Sequence, residues 1–199
     1  MGDSRSARLT RREAIGLLGA GAGVGLVAAL QEKVGLAALG QRGATKVTFP
    51  RGAIIRTILK DVPPEALGGG ATLFHEHLSI MDPVPPWVTP PKDARPSYTA
   101  NLDLMVEEVK ATAKDGVSCI VNGGTKDLGQ DVNKVRTIAQ RTGMHIVFAG
   151  GLWTQPNYPP DIAKKTEDQV ADDFLRDATA ERWGAIGEIG SSKSMHPDE

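Results

Sequence analysis

The spacing of hydrophobic positions switches back and forth along the chain between strand-like and helix-like. Ala71 to Leu78, the unbroken run Val117-Ser118-Cys119-Ile120-Val121, His145-Ile146-Val147-Phe148-Ala149 and Ala185-Ile186-Gly187-Glu188-Ile189-Gly190 read as strands, being short apolar runs bounded by glycine or turn residues. Between them the period lengthens. Leu102, Met105, Val106, Val109 and Ala113 fall on one helical face, with Glu107, Glu108 and Lys110 opposite and Gly116 as the stop. Val132, Val135, Ile138 and Ala139 mark a second helix, which Asp127 or Asp131 can cap and Gly143 ends. Val170, Phe174, Leu175 and Ala178 mark a third, opened by the capping pair Thr166 and Gln169 and ended by Gly184. The order β-α-β-α-β-α-β predicts a parallel sheet covered by helices and joined by right-handed crossovers. An open doubly wound sheet and a (β/α) barrel both begin this way.

Other stretches break the alternation. Val47-Thr48-Phe49 and Ala53 to Leu59 flank the turn signal Pro50-Arg51-Gly52, which predicts a short antiparallel ribbon ahead of the sheet. Met81 to Pro96 carries Pro83, Pro85, Pro86, Pro90, Pro91 and Pro96, so it is a loop, and loops of that length usually serve function. The first 40 residues have a different character: Arg5, Arg8, Arg11 and Arg12 precede the uncharged, glycine-rich run Ala14–Leu30. A basic segment followed by an apolar one is the layout of an export signal. Thr10-Arg11-Arg12-Glu13-Ala14-Ile15 resembles a twin-arginine signal, with cleavage expected after Ala37 or Gly40. The expectation is a signal over 1–40, contact with membrane only through it, a periplasmic or secreted protein, and a folded unit over 41–199.

Composition narrows the partners. With 40% hydrophobic and 24% charged residues the chain is that of an ordinary globular protein. A net charge of −1, with no basic run after the first dozen residues, argues against nucleic acid. A single cysteine, Cys119 in an apolar strand, excludes an intrachain disulfide and a cysteine-based zinc site. No G-x-G-x-x-G follows a strand, so a dinucleotide fold lacks its main signature.

The chemistry gathers at strand ends. In a strand, residues i and i+2 point the same way, which places His75 and His77 in one space with Cα atoms roughly 6.5–7 Å apart. Glu188 lies in a strand otherwise made of alanine, isoleucine and glycine, where a carboxylate is costly to bury without a cation or hydrogen bonds. Two imidazoles and one carboxylate make three protein ligands and leave a coordination position for water on zinc, whose proton is then lost near neutral pH.

Leu73-Phe74-His75-Glu76-His77-Leu78, then Gly116 to Asp131, then Gly150-Gly151-Leu152-Trp153, then Gly184 to Gly190 resemble successive strand-end motifs of the phosphotriesterase family. This is the aryldialkylphosphatase, lactonase and phosphotriesterase-related branch of the amidohydrolase superfamily, and the resemblance runs from about Arg56 to Ser192. It implies the N-terminal half of a (β/α)8 TIM barrel, about four parallel strands with their helices, preceded by the short ribbon. It also implies hydrolysis of a small-molecule ester, a phosphotriester or lactone, by hydroxide activated on divalent metal, most often zinc, in a binuclear centre. By resemblance His75 and His77 are ligands of the more buried metal. Glu188 is the catalytic carboxylate bridging the two metals, where many relatives carry a carboxylated lysine. Trp153 lines the substrate pocket, and Asp127 and Asp131 match positions at the start of the second helix and are assigned to capping.

The family's remaining ligands are two histidines after the fifth and sixth strands and an aspartate on the eighth, and they have no counterpart here. His145 begins its strand, at the opposite end, and His196 lies in a polar tail. The expectation is a truncated hydrolase, inactive by itself. The alternative is a non-catalytic metal-binding half-barrel or interaction module that needs a second chain, as a homodimer or with a missing C-terminal half.

Overall fold

Strands β3 (Ala71–Glu76), β4 (Val117–Asn122), β5 (His145–Gly150) and β6 (Ala185–Ile186) pair in parallel and in chain order. The computed structural model describes residues 48–199, so the export segment expected over 1–40 lies outside the described residues. An open doubly wound sheet reverses its strand order at a switch point, whereas a barrel adds each strand beside the last. The observed order β3-β4-β5-β6 is the second kind, and with its helices it forms the half-barrel expected from the sequence.

Helices α1 (Leu102–Lys114), α2 (Val132–Thr142) and α3 (Glu167–Glu181) make the crossovers. Met105, Val106 and Val109 of α1 and Val135, Ile138 and Ala139 of α2 close over Ile120, Ile146 and Phe148 in one core. Each helix starts on a side-chain cap. The carboxamide of Asn101 accepts the Leu104 N–H, Asp131 accepts those of Asn133 and Lys134, and Thr166 with Gln169 forms the expected capping box. Gly143 takes the left-handed position after α2 (φ 72°) as expected.

The third helix stops earlier than its glycine suggested. Arg182, not Gly184, occupies the left-handed position after α3 (φ 63°). That conformation costs a side-chain-bearing residue about 1–2 kcal/mol. Here the guanidinium offsets the cost by donating to Asp61 Oδ1 (2.7 Å) and the Thr57 carbonyl (3.4 Å). Gly184 is required for another reason: a Cβ there would collide with the Arg56 carbonyl.

The ribbon also differs from its expected form. Its strands are β1 (Ile55–Arg56) and β2 (Asp61–Val62), and the reversal falls at Thr57–Lys60 rather than Pro50–Gly52. Thr57 fixes this turn, since its hydroxyl donates to the Lys60 carbonyl (2.6 Å) and accepts the Lys60 N–H (3.2 Å). Ile58 at the tip is 1% exposed and joins the main core. Its N–H donates to the Ile146 carbonyl (2.8 Å) on the β5 edge that faces β6. The next positions on that edge serve Gly184 N–H, donating to Phe148 O (2.9 Å), and Gly187 N–H, donating to Gly150 O (3.1 Å). The ribbon tip therefore takes the start of the edge, and β6 is left with two residues instead of the six its apolar run suggested.

The proline loop runs without strand or α-helix, as expected. Met81 N–H donates to the Leu128 carbonyl (2.7 Å) and Trp87 Nε1–H to the Asn157 carbonyl (2.8 Å), which lays the loop across segments that follow β4 and β5.

Candidate metal centre

The end of β3 departs from regular pairing. Leu73 faces Ile120 and Glu76 faces Asn122, so three steps on β3 match two on β4. This bulge turns Phe74 out to solvent (79% exposed) and re-aims the residues that follow. The rings of His75 and His77 meet edge to face with centroids 5.3 Å apart. The two histidines share one space, but the strand ends at Glu76, so the bulge rather than regular alternation sets their directions.

The end of β4 holds them there. Gly123 lies against the His75 ring: a Cβ on it would sit 3.0 Å from His75 Cδ2 and 3.1 Å from Nε2. Its N–H donates to the Glu76 carbonyl (2.9 Å). Fully buried Asn122 accepts the Leu78 N–H through Oδ1 (2.7 Å) and donates from Nδ2 to Gln130 Oε1. Gln130 Nε2 in turn donates to the Ala149 carbonyl (2.9 Å). One side-chain pair therefore ties the backbone on both sides of β4, directly after His77. In the sequence only the polar run closing an apolar strand points to Asn122 and Gly123.

Glu188 follows β6 by two residues and is half-buried, between two backbone anchors on its own segment. Gly187 N–H donates to Gly150 O (3.1 Å) and Gly190 N–H to Trp153 O (2.9 Å). Its Oε1 stands 3.5 Å from His75 Nε2 and its Oε2 3.3 Å from His77 Nε2. One ligand atom from each of His75, His77 and Glu188 falls within 4.8 Å of the others. Two ligands about 2.1 Å from a tetrahedral zinc stand about 3.4 Å apart, so these separations are those of a coordination shell. Hydrogen bonding does not account for the cluster. Glu188 Oε2 and His77 Nδ1 are buried with no hydrogen bond among the described residues; Oε2 has only the 3.3 Å approach of His77 Nε2, and a buried carboxylate oxygen without a hydrogen bond is costly. A divalent cation fits this donor set, and His75, His77 and Glu188 are the residues that would hold it.

The other candidates separate. Trp153 is half-buried with its indole against Gly190, next to the Glu188 segment, and its N–H donates to both carboxylate oxygens of Asp127 (2.9 and 2.8 Å). Asp127 is fully buried and does not cap α2; that role falls to Asp131 alone. Burial pushes the Asp127 carboxyl pKa up, against the opposing pull of the Thr125 hydroxyl (2.7 Å) and the Trp153 N–H. His145 opens β5 at the far end of the sheet, and His196 is a tail residue 3.4 Å from Asp198. Cys119 is buried in β4 and burial raises its thiol pKa, which makes it a core residue.

Comparison with known proteins identifies relatives of this chain. The chain is 27% identical over 179 residues to N-acetyltaurine hydrolase of Bos taurus and 28% over 180 residues to that of Rattus norvegicus, in each case across 73% of this chain and 50% of the relative. It spans about half the length of the curated relatives it matches. Among solved structures it resembles a resiniferatoxin-binding protein of Rhodobacter sphaeroides (TM-score 0.61, 28% identity, 73% of this chain and 48% of that one). It also shares its fold with the phosphotriesterase homology protein of Escherichia coli (TM-score 0.53, 22% identity, 65% and 45% of the two chains). The profile of the phosphotriesterase family matches residues 55–199, from the ribbon through all four sheet strands, and the chain belongs to that family.

Proposed function

We propose that this chain carries one half of the site of a metal-dependent hydrolase acting on a small molecule. The observation that carries the reading is the convergence of His75, His77 and Glu188 within 4.8 Å, with a buried carboxylate oxygen left without a hydrogen bond. A divalent cation bound there supplies Lewis acidity to the scissile group and acidifies water. The chain's own residues do the positioning. The bulge in β3 aims the two imidazoles, Gly123 leaves room for the His75 ring, and the Gly187 and Gly190 hydrogen bonds fix the Glu188 segment. Zinc is one of the divalent ions that two imidazoles and a carboxylate suit, and the family resemblance favours it.

Two bond classes are supported by different observations. The strand-end motifs favour an ester, phosphotriester or lactone, while the names of the relatives favour an N-acyl amide. A binuclear centre needs more ligands than the three that cluster among the described residues. These residues alone are therefore proposed to bind metal without turning substrate over. The test is hydrolysis of an N-acetyl amide, a lactone and a phosphotriester by the zinc-loaded chain beside Glu188→Ala. The expected result is no difference between the two proteins. Glu188-dependent turnover of any of the three would overturn the half-site proposal and identify the bond.

A further inference from the structure

Asp127 is the one fully buried carboxylate among the described residues, and nothing assigned to the metal site uses it. It follows β4, but its partners lie elsewhere. Both carboxylate oxygens accept the Trp153 N–H (2.9 and 2.8 Å), and Oδ1 also accepts the Thr125 hydroxyl (2.7 Å). Through these bonds Asp127 fixes the chain three residues beyond the end of β5. Trp153 then does two things to the next segment: its carbonyl accepts the Gly190 N–H (2.9 Å), and its indole packs so closely on Gly190 that a Cβ there would stand 2.9 Å from Nε1.

Glu188 sits inside this clamp. Its segment is tied to β5 at Gly187, through Gly150 O, and to Trp153 at Gly190, with two residues between the ties. The first tie is sheet pairing and survives whatever happens to Asp127. The second depends on where the Trp153 backbone lies. We propose that Asp127 is a positioning residue for Glu188, acting through Trp153 and Gly190. A buried carboxylate is otherwise a poor choice at this position, because it has been desolvated without a counter-ion and an apolar residue would cost less. Its advantage is that a carboxylate gives strong, directed acceptance of a backbone N–H, which fixes a loop more tightly than packing does.

The test uses the full chain and two readouts. The first, amide hydrogen exchange, requires no metal. Asp127→Ala is expected to speed exchange at Gly190 at least tenfold more than at Gly187. Val135→Ala, a core control far from the site, should accelerate the two alike. The second readout, zinc affinity by chelator competition, rests on the proposed metal site: Asp127→Ala should weaken binding about 10- to 100-fold, the range for removing an outer support of a metal ligand. Asp127→Asn keeps one acceptor oxygen for the Trp153 N–H and should fall between wild type and alanine. If Asp127→Ala accelerates Gly190 no more than Gly187, or binds zinc as wild type does, Asp127 is a structural residue only and the inference fails. If wild type binds no zinc while Gly190 alone is released, the metal reading fails and the clamp stands.

Discussion

Gly123 shows how finely single residues set this site. Its missing side chain is the space in which the His75 ring lies, since an added Cβ would approach two ring atoms at 3.0 and 3.1 Å. Gly123→Ala should push the ring off the Glu188 carboxylate and weaken zinc binding roughly tenfold, the scale of a displaced ligand support. Its melting temperature should change little, because no positive backbone φ is needed there. Parallel chelator competition and thermal melts would check both halves. At this scale the cluster was legible as candidate ligands, because two histidines two apart and a carboxylate in an apolar run are unusual residue choices. Their supports were not. Asn122, Gln130 and Asp127 act across 8, 44 or 26 positions of sequence (Asn122–Gln130, Leu78–Asn122 and Asp127–Trp153), and Asp127 stood so near a helix start that capping explained it equally well.

Between residues and the whole, the elements compete for hydrogen-bond edges. β6 is short because Ile58 at the ribbon tip holds the first part of the β5 edge. Periodicity reads each run by itself and cannot register that contest, which is why the ribbon turn and the β6 length differ from expectation while α1, α2 and α3 stand where the spacing puts them. Ile58→Ala should cost about 2–5 kcal/mol in chemical denaturation, as buried large-to-small changes do; a loss under 1 kcal/mol would show that the tip is not part of the core.

The segment after β6 has its own fastening. Glu199 accepts the Ser192 hydroxyl (2.6 Å) and the N–H groups of Gln155, Ser192 and His196 (each 3.0 Å). The Ser192 hydroxyl first, then these backbone donors, hold its carboxyl pKa down at about 2. A depressed carboxylate pKa stabilises the fold above the ordinary value of 4.5, and that contribution is lost as pH falls from there through about 2. The difference in stability between wild type and Glu199→Gln should therefore shrink as pH drops from 4.5 toward 2. A difference constant over that window would show that the carboxylate charge plays no part.

For the molecule as a whole, the sequence already carried the parallel α/β class. Periodicity could not tell a barrel from an open sheet, because both are built from the same βα unit. Strand-end motifs and then the unreversed strand order made the distinction. Among the described residues no strand pairs with the outer edge of β3 or of β6, and Phe74 and Ile186 beside those edges are 79% and 70% exposed. Unpaired edges with exposed apolar side chains invite association, and the candidate ligands, the sheet ends and the half-barrel meet in one place, the cluster of His75, His77 and Glu188. An equilibrium zinc titration of the chain, by competition with a chromophoric chelator, tests that cluster directly. The expectation is one zinc per chain, with affinity falling at least 100-fold in each of His75→Ala, His77→Ala and Glu188→Ala while circular dichroism stays unchanged. No zinc bound by wild type, or wild-type affinity retained in Glu188→Ala, would contradict it.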